Sequence, residues 1–394
     1  MHPPRHHAWV HVDLEAVRYN AERLRARAGV PLVAMVKADA YGLGAPAVAR
    51  ALGATFTDSF ADSGGDSGGD SGSDSGNGSH SDEALLWGLG VATIAEARAL
   101  RDAGCTSRML CCTPLLPDEL GDALALELRP SLHTAADIET WAAMGGQAWH
   151  LSIDTGIARA GVRWDRVSEL RATLQHHVPE GVFTHFYAAE QADGSRELQE
   201  MRFAEARATL ADVLPRTLLV HLDNSAAIAA RIEGNGASDA NLVRPGIALY
   251  GACDHVALAL RQTVHLRARI VDLRDVHAGE SVGYGATWSP TETRRIATVP
   301  VGYADGYRRH LSNRGEALVH RQRCPIVGRI SMDMATLDVT DIECTIGDVV
   351  TLLGTDGGQT LTTDAVAQRA ELSPYELLVG LRLRLPRIYS PVSH

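Results

Sequence analysis

One lysine stands where it could act as a nucleophile. Lys37 directly follows the apolar stretch 33–36, and Tyr41, Gly42 and Gly44 come within the next seven residues. A lysine in a partly apolar site loses solvation, so its amine becomes a better nucleophile, suited to forming a Schiff base. The two glycines would let the backbone approach a neighbouring group closely. Taken alone, a lysine that ends a strand is usually only a solvated side chain, so the position needs support from elsewhere in the chain.

That support comes from a resemblance that recurs along the sequence. Residues 33–44 resemble the pyridoxal-phosphate attachment motif of the alanine racemase family. Further segments resemble the motifs of that family in the same order, and so many ordered matches argue against chance. They are residues 154–161, 184–186, 224–225, 243–251, 282–288, 301–306 and 328–333.

The resemblance implies an enzyme that interconverts L- and D-alanine with pyridoxal 5'-phosphate. The cofactor stabilises the carbanion, and the protein supplies binding, two bases and electrostatics. Inverting a carbon centre requires one proton donor or acceptor on each face. By resemblance, Lys37 serves one face and Tyr284, entering from the partner subunit of a homodimer, serves the other. Tyrosine has a pKa of about 10, so it needs a cationic neighbour to act as a base, and Arg159 is the candidate.

The same resemblance assigns the remaining contacts. Arg159 and Met332 are expected to bind the substrate, and no metal site is expected. The expected cofactor-binding residues are Lys37, Tyr41, His185, Asn224, Ser225, Arg244, Gly246 and Ile247. Arg244 would face the pyridine nitrogen. Because an arginine cannot accept a proton, that nitrogen would stay neutral, which favours proton exchange over transamination.

The sequence departs from the family pattern at three places. Ser152 stands where many members carry a lysine that orients the substrate arginine. Leu383 replaces a tyrosine that touches the phosphate in some members, which leaves room for a substrate larger than alanine. Residues 187–190 also differ from the usual small polar sequence after the histidine. Serine or another, larger amino acid therefore remains an alternative substrate.

Hydrophobic patterning predicts the strands and helices that position these residues. Short apolar runs alternate with helix-length segments through the first 250 residues. The candidate strands are residues 31–37, 87–92, 108–113, 128–132, 148–154, 181–186, 219–225 and 241–250. Near-continuous apolar strands separated by helices predict a covered parallel sheet, and eight such units fit a (β/α)8 TIM-like barrel. A doubly wound open sheet is the alternative.

The pattern changes after about residue 251. Six strand-like runs follow with little helical periodicity before residues 362–371: 265–273, 295–301, 316–319, 325–330, 336–339 and 349–353. We therefore predict an α/β chain with a barrel at 9–250 and a mainly β domain at 251–390 that carries Tyr284. The strand-like piece 9–12 could pair with either part.

Composition limits the other possibilities. The 394 residues carry a formal net charge of −11, which disfavours nucleic-acid binding. No apolar run is long enough to span a bilayer, and residues 1–7 lack the apolar core expected of a signal peptide. Six sparse cysteines without a CxxC pair are typical of reduced thiols, so a cytoplasmic location is expected.

A low-complexity stretch interrupts the predicted barrel at residues 58–83. It consists mainly of Asp, Ser and Gly, which carry large backbone entropy and offer little apolar surface to offset it. We predict a disordered, dispensable surface insertion. A calcium-binding loop is the alternative, but the repeat period of four does not fit known calcium repeats.

Two other functions compete with racemisation. A related decarboxylase would need a carboxylate at the pyridine nitrogen and a catalytic cysteine in the second domain, whereas this chain has Arg244 and Tyr284. A catalytically silent or regulatory cofactor-binding protein is the non-enzymatic alternative. Such barrel proteins lack a second domain, and here about 140 residues follow the barrel.

Overall fold

The computed structural model describes residues 6–57, 85–231, 239–253 and 258–390. The insertion predicted at residues 58–83 lies outside these described residues. Across the described ranges, no helix combines the length and apolar character that crossing a membrane requires.

The first part of the chain alternates strands with helices. Its elements are β1 (Ala8–Asp13), α1 (Leu14–Ala28), β2 (Leu32–Met35), α2 (Lys37–Gly42), α3 (Ala45–Ala51), β3 (Leu86–Val91), α4 (Ile94–Asp102), β4 (Met109–Cys111), α5 (Leu120–Ala125), β5 (Leu128–Leu132), α6 (Ala135–Ala143), β6 (His150–Asp154), β7 (Val162–Arg163), α7 (Arg171–Leu174), β8 (Gly181–Phe183), α8 (Ser195–Thr209), β9 (Leu219–Asn224), α9 (Ser225–Ala230) and β10 (Leu242–Arg244). All eight predicted strands are present: β3 is shifted by one residue toward the N-terminus, β5 is unchanged, and the others are trimmed at one or both ends.

These eight strands form the predicted barrel. They pair in parallel in the order β2, β3, β4, β5, β6, β8, β9 and β10, and β10 pairs back onto β2. The pairing of β5 with β6 leaves no open edge, so the doubly wound alternative is wrong. All four residues of β2 are buried, as expected of a barrel strand covered on both faces.

The second part is mainly β. It contains β11 (Val264–Arg269), β12 (Asp272–Val276), β13 (Arg294–Val299), β14 (Glu316–Val319), β15 (Gln322–Pro325), β16 (Ala335–Asp338), β17 (Val349–Asp356), β18 (Gln359–Leu361), α10 (Thr363–Arg369), α11 (Pro374–Gly380) and β19 (Arg387–Ser390). Short 3₁₀ turns lie at Pro117–Glu119, Trp164–Leu170, Ile247–Tyr250, Tyr284–Ala286, Tyr303–Asp305 and Arg309–Leu311. Two predicted strands differ from the structure. The strand at 265–273 is divided between β11 and β12. Of residues 325–330, only Pro325 belongs to a strand, the end of β15, and the rest makes one isolated bridge among the described residues, from Ile326 to Leu337.

The first strand belongs to the second sheet, which answers the question that its sequence left open. β1 pairs antiparallel with β11 and parallel with β19. Asp13 ends the strand and caps α1, since its carboxylate accepts a hydrogen bond from the backbone N–H of Ala16. The chain therefore starts in the β domain, passes through the whole barrel and returns.

The loop after Lys37 in the barrel contacts the C-terminal strand of the second part. The Arg387 side chain donates a 3.0 Å hydrogen bond to the carbonyl of Gly42. A Cβ on Gly44 would lie 2.0 Å from Oη of Tyr389, so only glycine fits there. The C-terminal strand β19 is therefore the part of the chain that approaches these two glycines closely.

Candidate active site

Lys37 lies at the C-terminal mouth of the barrel, just beyond β2. The four residues after it, 38–41, wind in the left-handed sense, with φ between 52° and 58°. This conformation is costly for residues with a Cβ, so the surroundings must hold it. The Glu96 carboxylate does so by accepting hydrogen bonds from the backbone N–H of Ala38 (2.8 Å) and of Ala92 (2.7 Å). The lysine side chain is exposed at the mouth.

Tyr41 forms one wall of a cradle with the loop after β10. Its ring packs on Tyr250 with centroids 4.7 Å apart, and a Cβ on Gly246 would lie 2.3 Å from its hydroxyl. Ser225 Oγ accepts hydrogen bonds from the backbone N–H of Gly246 (2.9 Å) and of Ala248 (3.2 Å). Burial raises the pKa of Tyr41, which therefore remains a neutral hydrogen-bond donor.

Asn224 and Ile247 adjoin this cradle. Asn224 caps α9, because its Oδ1 accepts a 3.0 Å hydrogen bond from the N–H of Ala227. Ile247 is buried and starts the 3₁₀ turn after Gly246. The structure thus brings the predicted phosphate-side residues together at one end of the barrel mouth.

Arg244 ends β10 and is almost completely buried. Its guanidinium donates to the carbonyls of His221 (2.7 Å) and Thr184 (2.6 Å), and to Nδ1 of His221 at 2.5 Å. Burial lowers the pKa of Arg244 to about 10, so the side chain stays charged at neutral pH. Four acceptor atoms of the barrel hold this cation, the fourth being the carbonyl of Leu222 at 3.3 Å. None of these four described acceptors is a carboxylate.

His185 follows β8 and gathers the other predicted residues around it. Burial lowers the pKa of His185 to about 3, and three nearby cations add to the effect. They are Arg244, Arg159 and Lys37. A neutral imidazole surrounded by three positive charges marks a site built to receive an anionic ligand.

Arg159 reaches the mouth from the loop after β6. The Asp154 carboxylate shapes this loop by accepting hydrogen bonds from the N–H groups of Gly156 (2.9 Å) and Ala158 (3.1 Å). Ser152, which replaces the family's lysine, is buried below the loop, and a Cβ on Gly161 would lie 3.0 Å from its Oγ. The small serine therefore packs against Gly161.

Tyr284, Met332 and Leu383 lie on the second domain with their side chains in solvent. Their exposed fractions are 73 %, 53 % and 82 %. Within the described part of this single chain, no hydrogen bond or ring contact joins Tyr284 to the barrel residues named above. The barrel site of one chain is therefore assembled without the predicted second base.

Sequence reasoning missed two groups at the site. His221 and His150 are fully buried on β9 and β6, and the signal available was one histidine in each of two largely buried strands. Cys112 follows β4 at the same mouth. Burial raises the pKa of its thiol, although the charges of Arg244, Lys37 and Arg159 act against this, so the thiol stays protonated.

Comparison with known proteins identifies the family. The family model described as "Alanine racemase, N-terminal domain" matches residues 12–63 and 80–254, and "Alanine racemase, C-terminal domain" matches residues 263–389. The chain belongs to the alanine racemase family. It is accordingly an enzyme of the isomerase class, a racemase.

Individual relatives of this family agree along the whole chain. A protein named alanine racemase from Syntrophobacter fumaroxidans is 36 % identical and covers 95 % of both chains. Another from Deinococcus radiodurans is also 36 % identical, over 96 % of this chain and 98 % of the other. Among solved structures, alanine racemase from Streptomyces lavendulae has a TM-score of 0.83 at 29 % identity, covering 99 % and 98 % of the two chains. Alanine racemase from Bartonella henselae, with covalently bound pyridoxal phosphate, has a TM-score of 0.80 at 27 % identity, covering 98 % and 100 %.

Proposed function

We propose that this chain racemises alanine with pyridoxal 5'-phosphate, by a two-base mechanism in a homodimer. The observation that carries the proposal is the group of three cations around the neutral His185, next to the cradle of Tyr41, Ser225 and Gly246. The family's sequence and structural likeness supports the same chemistry.

The residues present fit this cofactor. The absence of a Cβ at Gly246 lets the hydroxyl of Tyr41 come close to the backbone of this loop. Hydroxyl and backbone N–H donors of this kind suit a phosphate. Tyr41, Asn224, Ser225, Gly246 and Ile247 would hold the phosphate end, His185 would pack on the ring, and Lys37 would hold the aldehyde carbon.

Arg244 would act at the pyridine nitrogen. Its guanidinium has hydrogens to donate and no lone pair to accept a proton, so the nitrogen it contacts stays unprotonated. When bound, the cofactor delocalises the negative charge that develops at the substrate α-carbon. Arg244 moderates this delocalisation, which favours rapid return of the proton to the same carbon.

Two groups of the protein would move that proton. The Lys37 amine removes or returns it on one face of the α-carbon, and the phenol of Tyr284 of the partner subunit does so on the other. Arg159 would bind the substrate carboxylate and lower the cost of the phenolate. Met332 of the partner subunit would line the substrate pocket.

The exposure of Tyr284 and Met332 supports the shared site. A large apolar or aromatic side chain in solvent is a common feature of surfaces that a partner covers. In a two-fold dimer, a β domain beside a barrel mouth can reach the mouth of its neighbour. Four cysteines, Cys105, Cys111, Cys324 and Cys344, are buried as thiols, which supports a cytoplasmic location.

The test is isotope exchange and racemisation in one experiment. The holoenzyme is incubated with L-alanine in D₂O, and D-alanine and α-deuterium are measured by chiral chromatography and mass spectrometry. We expect both to appear, and we expect Lys37→Ala to lower the rate by at least about a thousandfold. Bound cofactor without exchange on any amino acid would instead support the silent binding protein.

A second candidate substrate follows from Leu383. Its aliphatic side chain lies where a phosphate-touching tyrosine is expected, and it is largely exposed at the protein surface. We therefore include L-serine and larger amino acids in the same assay. Exchange with one of them and none with alanine would change the substrate and leave the two-base chemistry in place.

A further inference from the structure

A chain of buried polar side chains runs from the predicted cofactor site to the opposite end of the barrel. Nε2 of His221 lies 2.7 Å from Nδ1 of His150, and Nε2 of His150 lies 3.4 Å from Oε2 of Glu180. Arg244 contacts the other nitrogen of His221 at 2.5 Å. His150 starts β6 and Glu180 immediately precedes β8, so both lie at the N-terminal end of the barrel, away from the mouth.

Arg244 and Glu180, at the two ends of this series of side chains, determine which nitrogen of each imidazole carries the hydrogen. A guanidinium can only donate, so Nδ1 of His221 must accept and carries no hydrogen. Neutral His221 then holds its hydrogen on Nε2 and donates to Nδ1 of His150. By the same reasoning, His150 carries its hydrogen on Nε2. In the described structure that buried nitrogen has no protein partner of better geometry, and the Glu180 carboxylate is the acceptor within reach.

The charges around the chain agree with this assignment. Burial and the charge of Arg244 hold the pKa of His221 well below its ordinary value. Burial likewise lowers the pKa of His150, although Glu180 opposes the effect. Burial alone would raise the pKa of Glu180, but His150 and Arg129 bring it below its ordinary value. Both imidazoles are therefore neutral and the carboxylate is ionised at neutral pH.

The local packing leaves room for this arrangement. A Cβ on Gly181 would lie 2.7 Å from both Cε1 and Nδ1 of His150, so glycine is needed beside the ring. Phe183 stacks on His221 with centroids 4.9 Å apart, and its ring lies 5.0 Å below the guanidinium carbon of Arg244. These contacts hold the His150 and His221 rings in position, which leaves the placement of their hydrogens to be assigned.

We propose that Glu180 and His150 are positioning residues, which hold Arg244 in its donating orientation by fixing the tautomer of His221. If His221 carried its hydrogen on Nδ1, that N–H would face the N–H of Arg244 and displace it. An ionised Glu180 can only accept a hydrogen bond, so it excludes the alternative in which His150 and His221 carry their hydrogens on Nδ1. The relevance to the cofactor rests on the function proposed above, whereas the tautomers do not.

The test compares two substitutions of one residue. Glu180→Gln loses the charge and the ion pair with Arg129 but keeps an oxygen that accepts from His150. Glu180→Lys places a hydrogen-bond donor at position 180 as well as at Arg244, so one of the hydrogen bonds between these two positions must break. We expect the Kd of pyridoxal phosphate for the apoprotein, measured by absorbance titration, to stay within about threefold of wild type for Glu180→Gln and to rise at least about tenfold for Glu180→Lys. Glu316→Gln is the matched control, because Glu316 is also ion-paired with arginine and its exposed fraction is 30 %, against 29 % for Glu180.

A second measurement does not depend on the cofactor or on the Glu180 variants folding. Nitrogen-15 NMR of histidine-labelled wild-type protein should show His150 and His221 as neutral tautomers with hydrogen on Nε2, assigned by the loss of one signal set in His150→Asn. Hydrogen on Nδ1 of either ring would overturn the inference. So would a folded Glu180→Lys variant with wild-type affinity. Wild-type protein that shows these tautomers but binds no pyridoxal phosphate would overturn the proposed function instead.

Discussion

His185 is a histidine that cannot readily take up a proton in its folded surroundings. Its pKa is about 3 in the folded chain, against about 6.5 for a histidine in an unfolded one. Below pH 6.5 the unfolded state therefore binds a proton that the folded state does not. By linkage, the stability of the fold falls as the pH falls from about 6.5 toward 3.

This predicts a measurable difference between the wild-type apoprotein and His185→Phe, which keeps a flat ring but cannot titrate. Between pH 6.5 and 4.5, the free energy of unfolding of wild type should fall by about 2 kcal/mol more than that of the variant. Urea denaturation at the two pH values measures it. The buried His150, His221 and His265 remain in both proteins, so their contributions cancel. An equal fall in both proteins would show that His185 is protonated in the folded state.

Single residues also show where sequence reasoning succeeded. Lys37, Tyr41, His185 and Arg244, which the family resemblance singled out, lie at one mouth of the barrel in the structure. His221 and His150 were not singled out, since their contact joins two strands, β9 and β6, that are distant in sequence and lie on either side of β8 in the barrel. The roles assigned to the site residues remain predictions.

The left-handed turn after Lys37 has a backbone conformation that is unfavourable for the residues in it, because they carry a Cβ. Ala38 has φ 52° and is exposed, so its methyl group gains little packing to offset the strain. Glycine adopts this conformation without the steric cost. The turn persists because Glu96 and the C-terminal strand hold it, which keeps the Lys37 backbone fixed at the mouth.

Ala38→Gly should therefore stabilise the fold by about 0.5–1 kcal/mol, measured by urea denaturation. Ala26→Gly is the matched control. Ala26 is also exposed but lies in α1, where glycine should cost about 0.5–1 kcal/mol. If both variants lose stability equally, the turn is not left-handed in solution.

At the same level, the barrel strands were easier to predict than the β domain. Eight apolar runs separated by helices leave few arrangements, whereas the second domain has hairpins whose boundaries depend on turns. Residues 325–330 look apolar enough for a strand, yet β15 ends at Pro325, and the N–H of Val327 donates instead to the carbonyl of Thr336 in β16. The pairing of β1 could not be predicted, because its partners begin about 250 residues later.

At the scale of the whole molecule, the separation of Lys37 from the exposed Tyr284 predicts complementation between inactive variants. Lys37→Ala and Tyr284→Phe should each be nearly inactive alone. In a two-fold dimer with shared sites, a mixed dimer contains one site that has both wild-type groups. After subunit exchange of equal amounts, we expect about a quarter of the wild-type racemisation rate. Each variant exchanged with itself is the control, and no recovery in a demonstrated mixed dimer would place both bases in one chain.

The return of the chain to its first sheet has a consequence for its synthesis. Ala8–Asp13 leaves the ribosome long before Val264–Arg269 and Arg387–Ser390, the two segments between which it finally lies. The barrel can condense around its own parallel strands meanwhile, but this leading segment stays without a ladder partner until translation is nearly finished. A nascent chain of this enzyme therefore carries an unpaired apolar strand through most of its elongation, a natural binding target for ribosome-associated chaperones.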